Sequence, residues 1–408
     1  MADPAHQRTN WFAIFALFVA GLVASMHFAK VAPVMGQIGA DLDMSLIAQG
    51  FAVSILGIVG VLFAISTGAL VAAIGLARGM SIALFGGAAL AVAGAFAPNA
   101  TAFLAVRGLE GFSHLLIVVC APVLMAHHAS ERDRPIALAI WGCFFGLGFA
   151  ITSVAAPPIV TALGWRGLLA SHALVLAMAG FLVADALARV GHQDKRTALP
   201  GAAALIEAHK AVYASGAPLL LALVFCAYTI QFLAVLTFLI RYLTEARHWS
   251  AADAGSLVGA VSLVTLVATL AAGFLVRHRV PLFGGLAVAF VMTAAAGAGV
   301  FGAPVPDSTL VPLILVMMTG FGLMPGFVFA NVPSVAGTPE RAPLAYGAMA
   351  QFGNVGTFAG TPVFAAAYQA MGWPGGAGFL VTMAAAGIGL AALLRRSMVL
   401  TAGRTTAI

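Results

Sequence analysis

The chain is written in long apolar runs separated by short polar breaks. Runs such as SILGIVGVLFAISTGALVAAIG, from Ser54 to Gly75, do not alternate in polarity. They are therefore not barrel strands, which alternate apolar and polar positions over about ten residues. A helix crossing a bilayer needs about 20 mostly apolar residues. On that measure the sequence predicts twelve spans, at 11–36, 47–73, 77–97, 101–126, 136–160, 166–189, 216–242, 252–276, 281–303, 309–332, 343–370 and 375–395. The first run is much longer than the roughly 7 to 15 apolar residues of a secretory signal and carries Lys30, so it is taken as the first span. The expected fold is an all-α membrane protein.

The longest polar stretch after the N-terminus, VGHQDKRTALPGAAALIEAHKAVYASGAP (190–218), falls between the sixth and seventh spans. It divides the chain into an N-terminal six-helix bundle (1–189), a cytoplasmic central loop (190–215) and a C-terminal six-helix bundle (216–408). PIALAIWGCFFGLG (135–148) and PLAYGAMAQFGNVG (343–356) align at an offset of 208 residues, matching Pro135 with Pro343, Ala137 with Ala345, Phe144 with Phe352 and Gly148 with Gly356. The same offset carries Gly164-Trp165 onto Gly372-Trp373. Such an offset is the trace of a duplicated unit. Six spans return a chain to its starting side, so the copies are expected to be parallel.

Composition agrees: 62% of residues are hydrophobic and 8% charged, against about 25% charged in soluble domains. The net charge of +6 does not point to nucleic acid, because of where the charges fall. With the N-terminus inside, fourteen of nineteen Lys and Arg lie at inner helix ends or loops, among them Arg78, Arg134, Lys195, Arg196, Arg277 and Arg395. Arg166, Arg241 and Arg247 lie outside. This positive-inside bias places both termini in the cytoplasm of a multi-pass inner-membrane protein, with a bacterial source expected. Cys120, Cys143 and Cys226 all fall within spans without metal-ligand spacing and are read as packing residues. No metal or other cofactor is expected. There is no H-E-x-x-H or G-x-S-x-G, and hence no sign of an enzyme.

The two remaining cations, Lys30 and Arg107, lie within spans. A charge at a helix centre costs roughly 2.5 to 3.5 kcal/mol on insertion scales and marks a functional candidate. The first span runs outward and the fourth inward, and each cation is about six residues from the outer end, so they share a depth. His27 and Glu110 lie one turn deeper, and His114 follows Glu110 by another turn. At about 100° per residue, Arg107, Glu110 and His114 project to one side of their helix. Two cations offset by one carboxylate suit an anion: arginine binds a planar anion through two donors and lysine adds a compact charge. The competing reading is a local Arg107–Glu110 pair that pins the fourth helix and leaves Lys30 without a partner.

The run from Arg107 to Ala126, RGLEGFSHLLIVVCAPVLMA, and the segments GFGLMPGFVFANVP and AMAQFGNVGTFAGTP resemble the cyanate and 2-nitroimidazole permease branch of the major facilitator superfamily. Twelve spans, a six-plus-six repeat and R-x-x-x-G in the fourth span resemble that superfamily over nearly the whole chain. One motif departs: after the second span, where the superfamily carries an aspartate and an arginine, GALVAAIGLAR places Ala72 and Ala73. The resemblance implies a secondary transporter working by alternating access, with the first and fourth spans lining the central cavity. It directs the intramembrane charges to a small organic or inorganic anion, with protons as the coupling ion and the bilayer as the other partner, in a monomer.

The expected substrate residues are then Lys30, Arg107 and His27, faced by the neutral groups Tyr228, Gln231, Gln351 and Asn354 of the second half. Glu110 and His114 are the expected proton-coupling residues, since imidazole titrates near pH 6.5. The four neutral residues read equally well as interhelical polar contacts. Gly142-x-x-x-Gly146 and Gly356-x-x-x-Gly360 are expected close-packing sites. A proton-coupled multidrug or metabolite exporter of the same fold is the alternative, with a larger, acidic and aromatic cavity.

Overall fold

The computed structural model describes residues 8–31, 34–194, 198–302 and 304–405; Lys195 and Arg196 of the central loop lie outside the described residues. In chain order the helices are α1 (Trp11–Ala29), α2 (Met35–Asp41), α3 (Leu46–Ile74), α4 (Leu76–Ala95), α5 (Ala100–His128), α6 (Arg134–Gly142), α7 (Phe144–Arg189) and α8 (Ala202–Ala214). They continue as α9 (Gly216–Arg241), α10 (Ala251–Arg277), α11 (Leu282–Gly302), α12 (Asp307–Ala336), α13 (Ala342–Met371) and α14 (Trp373–Thr405). Among the described residues, 11 segments are long and apolar enough to cross a membrane. The predicted span outside that count is the eleventh, which corresponds to α13, 30 residues interrupted by Gln351, Asn354 and Gln369. The protein is a multi-pass membrane protein.

Short polar side chains start the helices. Asn10, Ser45, Asn99 and Ser250 each accept a hydrogen bond from the backbone N–H three residues on, satisfying a donor that the first turn leaves open. The first span stops at Ala29 rather than at 36, with Lys30 as its C-cap and Pro33 a few residues beyond in the sequence. The fifth span is divided, its first turns in α6 and the rest in α7. Gly164, at φ 67°, separates the fifth and sixth spans inside α7 in a conformation that a Cβ disfavours. In the central loop α8 occupies much of the length, and Asp194 reaches the start of α4. There its two carboxylate oxygens accept from the Ala77 and Arg78 backbone N–H groups, each at 3.0 Å. This loop aspartate supplies a carboxylate near the turn where the superfamily pattern has one and this chain has Ala72.

Two compact units emerge. One comprises residues 1–137, 144–211 and 340–351, the other 138–143, 212–339 and 352–408. In the first, α1 packs on α5 and α7, α4 on α5 and α7, and α3 on α5. In the second, α9 packs on α12 and α14, α11 on α12 and α14, and α10 on α12. The same helix order recurs, as the sequence repeat requires. Large apolar side chains such as Phe15, Leu62, Phe181, Val267 and Leu393 are exposed, which in a spanning helix is the surface offered to lipid.

Close packing depends on absent side chains. A Cβ on Gly356 would stand 2.7 Å from the Cys226 carbonyl oxygen, and one on Gly360 would press on the Ile230 carbonyl, so α13 lies directly on α9. In the corresponding motif of the fifth span only Gly142 is in contact, its Cβ position 3.1 Å from Thr269 Cγ2, while Gly146 has open space. The expected pair of close-packing glycines there is thus reduced to one. The three cysteines are free, as packing residues would be.

Candidate functional site

The intramembrane charges converge inside the first unit. Arg107, Glu110 and Ser113 recur every third residue of α5, so each neighbouring pair shares a face and the three wind over about 120° of the helix. His27 and Lys30 come from the last turn of α1, where the exposed carbonyl ends of the helix favour a cation. The α5 backbone comes close to α3 because Gly111 is a glycine: a Cβ there would stand 2.9 Å from Val59 Cβ. One turn from the charges on each helix, Val31, Phe103, Leu168 and Leu169 join an apolar cluster that also holds Trp165.

Glu110 is the hub. Its Oε1 accepts from Lys30 Nζ at 2.5 Å, and its Oε2 accepts from Arg107 Nη1. The expectation that a local Arg107–Glu110 pair would leave Lys30 unpaired is therefore corrected: one carboxylate bridges both cations. Arg107 is 0% exposed and Lys30 1%, so the bridge is removed from solvent. Arg107 Nε donates to the Ala52 carbonyl of α3 at 3.0 Å, which fixes the plane of the guanidinium. Its Nη2 is buried with no hydrogen-bond partner among the described residues.

A residue absent from the sequence expectations completes the group. His172 of α7 receives a hydrogen bond from Lys30 Nζ at Nδ1 (2.8 Å), and its Nε2 faces the Val23 carbonyl at 3.0 Å. A carbonyl only accepts, so Nε2 carries the proton and Nδ1 is the acceptor. The signal was a histidine inside the sixth span, in SHAL (171–174), passed over because it has no charged neighbour in sequence. The His27 ring meets His172 edge-on at 4.7 Å between centroids. Ligand atoms of His27, Glu110 and His172 lie within 4.8 Å of one another. The Lys30 ammonium bonds to two of these three residues, so a cation of the protein's own already holds the place and no metal-ligand role is assigned.

The other expected residues lie elsewhere. His114 is buried on α5, with Nδ1 at 3.0 Å from the Ala24 carbonyl and its ring edge-on to Phe28. In the second unit, Tyr228 is buried and stacks on Phe232, while Gln231 is buried with Nε2 donating to Ala227 at 2.6 Å and Oε1 without a partner among the described residues. Gln351 belongs to the first unit and donates from Nε2 to the Val61 carbonyl of α3 at 2.5 Å, a use as interhelical contact. Asn354 falls in the second unit and is half-buried.

A fold of twelve spans in two like units, with a buried charged group in the first, admits comparison with known proteins. The family described as the Major Facilitator Superfamily matches residues 13–361. The chain belongs to the major facilitator superfamily. It is accordingly a membrane transporter and not an enzyme. Among solved superfamily structures, the human organic anion transporter MFSD10 (TETRAN) is similar at a TM-score of 0.70 and 18% identity, over 94% of this chain and 99% of that one. The major facilitator superfamily transporter FucP, in its outward conformation, is similar at 0.68 and 16%, over 94% and 97%. The proton:xylose symporter XylE, bound to 6-bromo-6-deoxy-D-glucose, is similar at 0.67 and 14%, over 93% and 94%. At these identities the likeness is one of fold. No curated protein matches the chain.

Proposed function

We propose that this superfamily member is a proton-coupled secondary transporter of a small anion, of the cyanate and 2-nitroimidazole permease branch. It works as a monomer in the bacterial inner membrane with both termini in the cytoplasm, and its halves, 1–189 and 216–408, are the moving bodies. The observation that carries the anion is Arg107 Nη2, a guanidinium donor buried without a partner among the described residues and beside a second buried cation. A buried unpaired donor is costly and calls for a ligand. Lys30, Arg107 and Glu110 together leave one positive charge in excess, and a small planar anion satisfies both the charge and the fork. The solved human relative is described as an organic anion transporter. At its low identity that description supports the fold, and the anion rests on Arg107.

Access to the fork requires the helices around it to part, which alternating access supplies. The test is reconstitution into liposomes with nitrate, cyanate, acetate and 2-nitroimidazole under an inward proton gradient. Uptake of at least one of them by the wild type, lost in Arg107→Ala, is expected. If none is transported or bound while lipophilic cations are, the exporter reading replaces this one.

A further inference from the structure

One group in the buried cluster has no use in the resting arrangement. Ser113 Oγ donates its single proton to the Ala83 carbonyl at 2.8 Å, so toward His27 Nε2, 3.3 Å away, it acts as an acceptor. His27 therefore carries its proton on Nε2, and Nδ1 presents a bare lone pair. That Nδ1 is fully buried, has no hydrogen-bond partner among the described residues, and lies 3.6 Å from Glu110 Oε1. Two acceptors face each other across a gap that a proton would close.

We infer that His27 Nδ1 is where the coupling proton docks, bonding to Glu110 Oε1 when the Lys30 ammonium leaves that oxygen for the transported anion. The step rests on the proposed anion function. It balances: one N–H bond forms at Nδ1 with a proton from the aqueous side, nothing is oxidised or reduced, and one ammonium at the carboxylate is replaced by one imidazolium. The local charge is unchanged, so proton entry is tied to departure of the ammonium.

Every charged or titratable neighbour bears on this exchange. On its own helix Lys30 opposes a second positive charge while it remains bound to Glu110. From α5, Glu110 favours the imidazolium and Arg107 opposes it, while His114 is engaged by Ala24. From α7, His172 is held with Nε2 on Val23 and is left without its donor when Lys30 departs. Among the described residues, the α4 side offers the Ala83 carbonyl and Gly87, and the α3 side the Ala52 carbonyl bonded to Arg107.

The test uses the full chain labelled with ¹⁵N-histidine. In Lys30→Met, which leaves the Arg107–Glu110 pair intact, one new imidazolium with both ring nitrogens protonated is expected at neutral pH, absent from the wild type and absent from the Lys30→Met/His27→Gln double variant. If no imidazolium appears down to the lowest pH at which Lys30→Met stays folded, or if its signal survives His27→Gln, the inference is overturned. Should Lys30→Met not fold, the wild type decides. Adding a transported anion of the panel to weakly buffered protein should take up about one proton per anion bound, and no uptake overturns the inference. If the wild type binds no anion of the panel, the proposed function fails while the NMR comparison still tests His27.

Discussion

Lys30 Nζ and Glu110 Oε1 stand 2.5 Å apart, joining α1 to α5 across 80 residues of sequence with no access to water. Breaking a buried pair by removing one member costs roughly 3 to 5 kcal/mol, because the charge left behind is uncompensated. Glu110→Gln leaves two buried cations and is expected to be the least stable of the single variants, with a lower melting temperature in detergent. The Lys30→Met/Glu110→Gln double variant restores the original net charge. It should recover a clear part of that loss, and a double variant no more stable than Glu110→Gln would show that the pair is not coupled.

Arg107 is expected to be irreplaceable by lysine. Lys lacks the planar fork that lets one nitrogen hold Ala52, a second hold Glu110 and a third remain open. A hydrogen bond to a charged group is worth about 1.5 to 3 kcal/mol. Arg107→Lys should therefore weaken binding of the transported anion by roughly 10- to 100-fold, measured by isothermal titration, with the protein still monodisperse.

The Asp194 cap gives a prediction in the central loop. Replacing a side-chain acceptor at a helix start by alanine costs about 0.5 to 2 kcal/mol. Asp194→Ala removes the acceptor for both Ala77 and Arg78 and should lower the melting temperature. Restoring the aspartate that the superfamily pattern has at position 72, as Ala72→Asp in the Asp194→Ala background, tests whether one carboxylate substitutes for the other.

Glycine substitutions separate contact from composition. Gly360→Ala meets the Ile230 carbonyl and Gly148→Ala meets the Leu22 carbonyl at 2.7 Å, both backbone atoms that cannot rotate away. Each should destabilise by about 1 to 3 kcal/mol. Gly146→Ala, with open space around it, should be neutral or slightly stabilising in the same melting assay.

Asp41 supplies a pH dependence outside the spans. Hydrogen bonds from Trp165 Nε1 and from Arg166 Nη1, each at 2.8 Å, hold its carboxyl below the usual carboxylate range. A carboxylate depressed on folding contributes stability that is present above the unfolded value, near pH 3.9, and is lost as pH falls through the folded value. The stability gap between wild type and Asp41→Asn should be constant from pH 7 to about 5 and close below roughly pH 4. A gap that persists at low pH would assign the contact a packing role.

The spans were legible because bilayer thickness imposes one length and one composition on each, and the breaks carry Gly, Pro and charge. Lys30, Arg107, Glu110 and His27 were legible for a related reason: charge in an apolar run is conspicuous. Their mutual arrangement was only half legible. Helical spacing put Arg107 and Glu110 on one face, but the bridge from Glu110 to Lys30 depends on how α1 lies against α5, which spacing along either helix does not encode. His172 was missed because an isolated histidine among apolar residues looks like a packing residue until its partner on another helix is seen. Gln351 illustrates the converse: a polar residue in a span drew a binding role, and its Nε2 is spent on Val61.

Residues 340–351 complete the first compact unit and residues 138–143 complete the second, although each segment belongs to the other half of the sequence. A chain severed in the central loop therefore yields two fragments, each without a segment that packs in its compact unit. Expressed alone, either half would present an unfilled groove where Gly68 and Gly347, or Gly142, normally seat a neighbouring helix. Fragment complementation should accordingly succeed only when both halves are made together, so that each supplies the other's missing turns as it folds.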